Sequence, residues 1–148
     1  MKHAAVILAI FSCCYLPISV PARADAGLDK TIMRLQADVD NEAVQVYGGS
    51  VGELQAIFFI EWTGTGNPVE GYYYYPAKGR AKTYKLTGSN PKAGVLILQE
   101  FTPQEDGSYE LSASCRLTKK VSDRRIIWEG TMNNTDGRTF PMEFSRPK

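Results

Sequence analysis

The densest group of residues able to do chemistry is a run of four tyrosines, Tyr72 to Tyr75, followed closely by Lys78, Arg80, Lys82 and Lys85. In an extended chain successive side chains take opposite faces, so such a run puts two rings on each side. With Tyr73 and Tyr75 in step with Val69, Tyr72 and Tyr74 are expected to look outward. A tyrosine ring offers a rigid stacking face and a hydroxyl, and the basic groups attract phosphate or carboxylate. Tyr72, Tyr74, Lys78, Arg80, Lys82 and Lys85 are therefore the predicted ligand- or partner-binding surface. An anionic glycan, an envelope polymer or an acidic protein loop would suit it. The plainer reading is that the tyrosines are ordinary strand residues and the lysines keep a sheet edge from pairing with other chains.

Five carboxylates, Glu61, Glu70, Glu100, Glu129 and Glu143, sit among apolar residues. Two of them about 5 to 9 Å apart could act as acid and base in glycoside hydrolysis. The alternative is that they face water or pair with Arg125, Arg138 or Arg146. Cys115 alternates in step with Leu111, Ala113 and Leu117, which predicts a buried, inert thiol. Gly48, Gly49 and Gly52 lack the Lys-Ser/Thr of a phosphate loop and are read as a turn or bulge. No catalytic residue, metal ligand or cofactor is predicted.

The leader sharpens that reading. Lys2, the uncharged apolar run Ala4 to Tyr15, and Ala22-Arg23-Ala24 have the three-part layout of a secretory signal. Residues 1–24 are the expected signal peptide, and the apolar run is short for a membrane span. The expected location is periplasmic or secreted, with a lipid anchor through Cys13 as the lesser alternative. No transmembrane segment is expected once the signal is removed. The single histidine, His3, and two of the three cysteines, Cys13 and Cys14, lie in this leader. A processed chain would have no histidine, hence no Ser-His-Asp or Cys-His arrangement and no zinc site of the usual kind. Chemistry would be confined to a carboxylate pair, a Ser-Lys pair or an oxygen-ligand calcium site, which leans away from an enzyme. A net charge of +1 argues against nucleic acid as a partner. The charge is nonetheless segmental: residues 25–70 are mainly acidic, and residues 72–92 hold only basic groups.

These side chains need a scaffold. Leu28, Ile32, Leu35 and Val39 recur at helical spacing, so residues 25–42 are expected to be an acidic leader or short helix. From residue 43 the period becomes two. Ala56, Phe58 and Ile60, then Val69, Gly71, Tyr73 and Tyr75, then Tyr84 and Leu86, then Ala113, Cys115 and Leu117 each mark one face of a strand. Leu96, Leu98 and Ile97 make both faces of another apolar. Gly64 to Pro68, Lys78-Gly79, Gly88 to Pro91, Asp106-Gly107 and Asn134 to Gly137 supply turns. The expected fold is all-β over residues 43–148. It is an antiparallel meander of about eight strands, closed into a small barrel or strongly curled. Gly71, Gly88 and Gly130 are expected where the sheet coils.

Tyr47-Gly48-Gly49, Gly71-Tyr72-Tyr73-Tyr74, Leu86-Thr87-Gly88, Leu98-Gln99-Glu100, Trp128-Glu129-Gly130-Thr131 and Asp136-Gly137-Arg138 together resemble a pattern seen in small exported bacterial proteins. The resemblance spans roughly residues 46 to 146. It implies a meander fold and export, and no activity. The function expected is a non-enzymatic binding module for an envelope glycan or protein partner, an inhibitor being one version. A barrel carrying a small apolar ligand and a carboxylate-based hydrolase are the alternatives.

Overall fold

The computed structural model describes residues 44–62 and 64–146. The expected signal and the leader helix lie outside them. Eight strands follow one another: β1 (Val44–Val51), β2 (Leu54–Trp62), β3 (Pro68–Tyr74), β4 (Thr83–Lys92), β5 (Val95–Pro103), β6 (Tyr109–Ser122), β7 (Arg125–Asn134) and β8 (Thr139–Ser145). Each pairs antiparallel with the next. β1 then meets β8 from Gly48↔Ser145 to Val51↔Met142, and the sheet closes into a barrel. The expected meander is thus a closed one, and closure removes the exposed sheet edges.

Alternation decides what fills it. Phe58, Ile60, Val69, Tyr73, Leu86, Leu96, Leu98, Leu117, Met142 and Phe144 all point inward and are buried. Each such side chain contributes about 1.5–3 kcal/mol on leaving water. Inward glycines let the strands come close. A Cβ on Gly49 would lie 2.0 Å from the Glu143 carbonyl oxygen, and one on Gly130 would lie 2.0 Å from that of Arg116. Gly71 and Gly88 meet neighbouring backbone in the same way. Gly71, Gly88 and Gly130, expected to mark coiling, stand where neighbouring backbone leaves no room for a Cβ.

Three local expectations are corrected. Gly48 and Gly49 belong to β1 rather than to a turn or bulge, and at Gly49 the close approach of β8 leaves no room for a side chain. Asn90-Pro91 is not a turn either. β4 runs through it to Lys92 with an irregularity between Ser89 and Lys92, and the chain reverses at Gly94, whose φ is +78°. Pro91 is tolerated there because a bulge requires no donor from it. Finally, Leu111 does not share the buried face of Ala113 and Cys115. The β5–β6 pairing steps from Glu100↔Ala113 to Phe101↔Leu111, which skips Ser112 and turns Leu111 outward.

The two ends of the barrel differ. At the end holding the β2–β3, β4–β5 and β6–β7 connections, Trp62 and Trp128 stack at 5.3 Å. The Trp62 indole donates to the Tyr47 hydroxyl at 2.7 Å, and that hydroxyl donates to Gln45 at 2.5 Å. Burial holds the Tyr47 hydroxyl above its usual pKa, partly offset by the Trp62 hydrogen bond. This aromatic cluster packs across one mouth of the barrel.

Candidate functional site

At the opposite end a cup of about 800 Å³ opens between the β1–β2, β3–β4 and β7–β8 connections. A meander sends every second connection to the same end, so residues far apart in sequence meet there. Tyr73 and Tyr75 come from β3 and the residue after it, and Tyr84 from β4. Glu100 comes from β5, Ser112 from β6, Met132 from β7 and Phe140 from β8. The volume is of the size that small-molecule sites have, and the mix of aromatic wall with a few converging polar groups is typical of them.

The wall is built from rings that fix one another. Tyr73 stacks on Tyr84 at 4.9 Å, and Tyr75 stands edge-on to both, at 5.4 and 5.7 Å. Below them Tyr73 stacks on Phe58 at 5.0 Å, which joins the cup to the core. Such pairs prefer offset-stacked or edge-to-face geometry.

The floor is polar. Glu100 continues the inward series Leu96, Leu98 and is only 4% exposed. Its carboxylate accepts a hydrogen bond from the Tyr73 hydroxyl and a second, at 2.7 Å, from Ser112 Oγ. The bulge at Ser112 makes the second bond reachable. The hydroxyls of Tyr73 and Tyr75 lie 3.3 Å apart. Burial, then the nearby Glu100 charge, raises the Tyr73 pKa far above the usual phenol range. Burial pushes Tyr75 up to about 12 despite the Tyr73 contact. Cys115, buried as expected, is pushed up to about 12 by burial and then by Glu100. It is an inert thiol, not a nucleophile.

The rim mixes charges. Lys82, Arg138, Glu53 and Asp136 all line it. Arg138 is paired with Asp136 at 2.6 Å, which lowers the Asp136 pKa and raises that of Arg138.

The six residues singled out from sequence distribute differently. Tyr72 and Tyr74 do point away from the lumen, but they are not an exposed patch. Tyr72 is 3% exposed and Tyr74 9%. Tyr72 lies flat on Phe59 at 4.6 Å and clusters with Val44, because the register brings an outward phenylalanine beside it. Tyr74 is covered by the Arg80 guanidinium at 5.2 Å. The basic residues likewise sit over rings: Lys78 on Tyr75, Lys82 on Tyr84 and Lys85 on Tyr109. Such contacts hold a cation over the negative face of a ring. Of the six, Lys82 alone lines the cup.

Four of the five carboxylates meet in pairs across strands, outside the cup. Glu61 faces Glu70 across β2 and β3, and Glu129 faces Glu143 across β7 and β8, all on outward positions of the alternation. Only Glu100 of the five reaches the cup, where Glu53 is its one acidic companion besides Asp136. Among the described residues no cluster of three or more His, Cys, Asp or Glu side chains could hold a metal ion, and no helix is long and apolar enough to cross a membrane.

No family model, curated protein or solved structure matches this chain. The site must therefore be read from its own geometry. The polar floor and aromatic wall were missed as a site because their members come from six strands. One signal was present. Glu100 follows Leu96 and Leu98 at a spacing of two, and a carboxylate ending an inward apolar series marks a polar group held inside a barrel.

Proposed function

We propose that this protein is a binding module that holds a small ligand with an apolar body in the open end of its barrel. The observation that carries the reading is the cup itself. It has about 800 Å³ of space walled by Tyr73, Tyr75, Tyr84, Met132 and Phe140 over a buried polar floor. A packed barrel of eight strands has just enough interior for its own side chains or for one small ligand. Here the Trp62–Trp128 end takes the first course and the opposite end supports the second.

The burial of Tyr72 and Tyr74 moves the expected contact surface. The aromatic-basic hairpin contributes through its inward rings, Tyr73, Tyr75 and Tyr84, and through Lys82 at the rim. Export to the cell envelope remains part of the proposal on the strength of the leader sequence. A hydrolase gains no support, because the two carboxylate pairs that face each other stand outside the cup.

The test is a titration with 2-phenylethanol, an uncharged aromatic probe, followed by NMR of labelled methionine methyl and tryptophan indole groups. Binding in the cup moves the Met132 methyl signal saturably and leaves the Trp62 indole signal in place. Shifts confined to the closed end, or no shift of Met132, would remove the cup as a binding site.

A further inference from the structure

The cup's floor can accept hydrogen bonds and has no proton left to donate. The Tyr73 hydroxyl spends its proton on Glu100. Ser112 has a single hydroxyl proton, and it too is directed at Glu100, at the carboxylate oxygen 2.7 Å away and the backbone oxygen 3.2 Å away. The Tyr75 hydroxyl is engaged with that of Tyr73. A carboxylate has about four lone-pair directions, of which these two hydroxyls use two. Glu100 also has no ion pair with any lysine or arginine among the described residues. A buried charge without a counter-charge is costly, and hydroxyl donors offset only part of that cost.

From this we infer that the cup selects an organic cation, one whose positively charged nitrogen sits against Glu100 and whose apolar body rests on Tyr75, Tyr84 and Phe140. The inference rests on the proposed binding function and names its ligand class. An ammonium group brings up to three donors and no acceptor, which complements a floor of acceptors. The lining charges agree in sign: Lys82 and Arg138 stand against Glu53, Glu100 and Asp136, a net of one negative charge. A carboxylate or phosphate head would find no free donor at the floor and would face Glu100 itself.

Three probes that share a phenylethyl body and differ in head group test this: phenethylamine, 2-phenylethanol and 3-phenylpropionate. They are titrated into the full-length protein by calorimetry, with the Met132 methyl signal reporting position. Phenethylamine should bind about tenfold or more tighter than 2-phenylethanol, the ratio expected of one charge-assisted hydrogen bond, and 3-phenylpropionate should bind weakest. Glu100→Gln should erase the preference for the amine, bringing the ratio of phenethylamine to 2-phenylethanol affinity down to about twofold or less. Ser112→Ala, which keeps the carboxylate, should preserve the preference. Equal or tighter binding of 3-phenylpropionate overturns the inference while the cup stands. An amine preference that survives Glu100→Gln also overturns it. Absence of binding by all three probes removes the cup and the inference together. The comparison of probes on the unaltered protein needs no variant to fold.

Discussion

Gly48 and Gly49 are neighbours in one strand and should respond oppositely to the same substitution. A Cβ at Gly49 would lie 2.0 Å from the Glu143 carbonyl oxygen and 2.7 Å from the Phe144 Cα and Cβ. Non-bonded carbons settle at about 3.5–4.0 Å, so β8 would have to retreat by about 1 Å. That retreat would stretch hydrogen bonds whose normal length is about 2.9–3.0 Å beyond useful geometry. It would also occur at the seam, where only four residue pairs join β1 to β8. Overpacking costs about 1–3 kcal/mol, and two lost seam bonds add about 0.5–1.5 kcal/mol each. Gly49→Ala should therefore lose about 2–6 kcal/mol, a large part of the roughly 5–15 kcal/mol that holds a domain together. A Cβ at Gly48 meets nothing within 4 Å. Gly48→Ala should be neutral or stabilise by about 0.4–1 kcal/mol, through the reduced freedom of the unfolded chain. Urea unfolding followed by tryptophan fluorescence measures both, and the melting temperatures should differ by about 10 °C or more. Equal midpoints for the two variants would refute the claim that barrel closure depends on a bare Cα at position 49.

Further expectations concern the buried polar groups. Cys115 and Tyr75 have folded-state pKa values pushed up to about 12, above their ordinary values, so deprotonation favours the unfolded chain. Their contribution is complete below about pH 9 and is lost as pH climbs toward 12; the melting temperature should hold from neutral to pH 9 and then fall, and Cys115→Ala should delay the onset to about pH 10. A melting temperature that stays level to pH 11 contradicts this. Tyr73→Phe removes a donor from buried Glu100 and should cost about 1–3 kcal/mol, read as a lower urea midpoint; no change would mean that the bond contributes nothing to stability. Cys115, 2% exposed, should react with a thiol-specific reagent only as fast as the protein opens, so its labelling rate should rise with urea; fast labelling of the native protein would show that β6 is not packed as described.

The fold was largely legible because its signal is local. Period-two alternation from Ala56 to Ile60, from Val69 to Tyr75 and from Ala113 to Leu117 names strands and faces without knowledge of partners. What failed to show was whatever depends on a neighbouring strand. The Ser112 bulge exists because β5 and β6 shift register there, and it sends Leu111 out and the serine hydroxyl in. Tyr72 looked like surface because alternation says only which way a side chain leaves its strand. It is covered because Phe59 and Val44 stand beside it. The candidate site was illegible for this reason above all: Glu100 was visible as one of five glutamates, and only closure sets it against Tyr73, Ser112 and the rings of two further strands.

The strand order also dictates a sequence of events. Seven of the eight pairings join segments that follow one another along the backbone. Each can register as soon as its hairpin exists, with little entropy lost to loop closure. The eighth cannot, since it unites the first described strand with the last. A chain emerging amino end first would carry two raw strand borders until residues 142–145 were free to dock. The interior cup would come into being only in that final step, so a molecule shortened ahead of β8 should be both sticky at its borders and unable to hold anything inside.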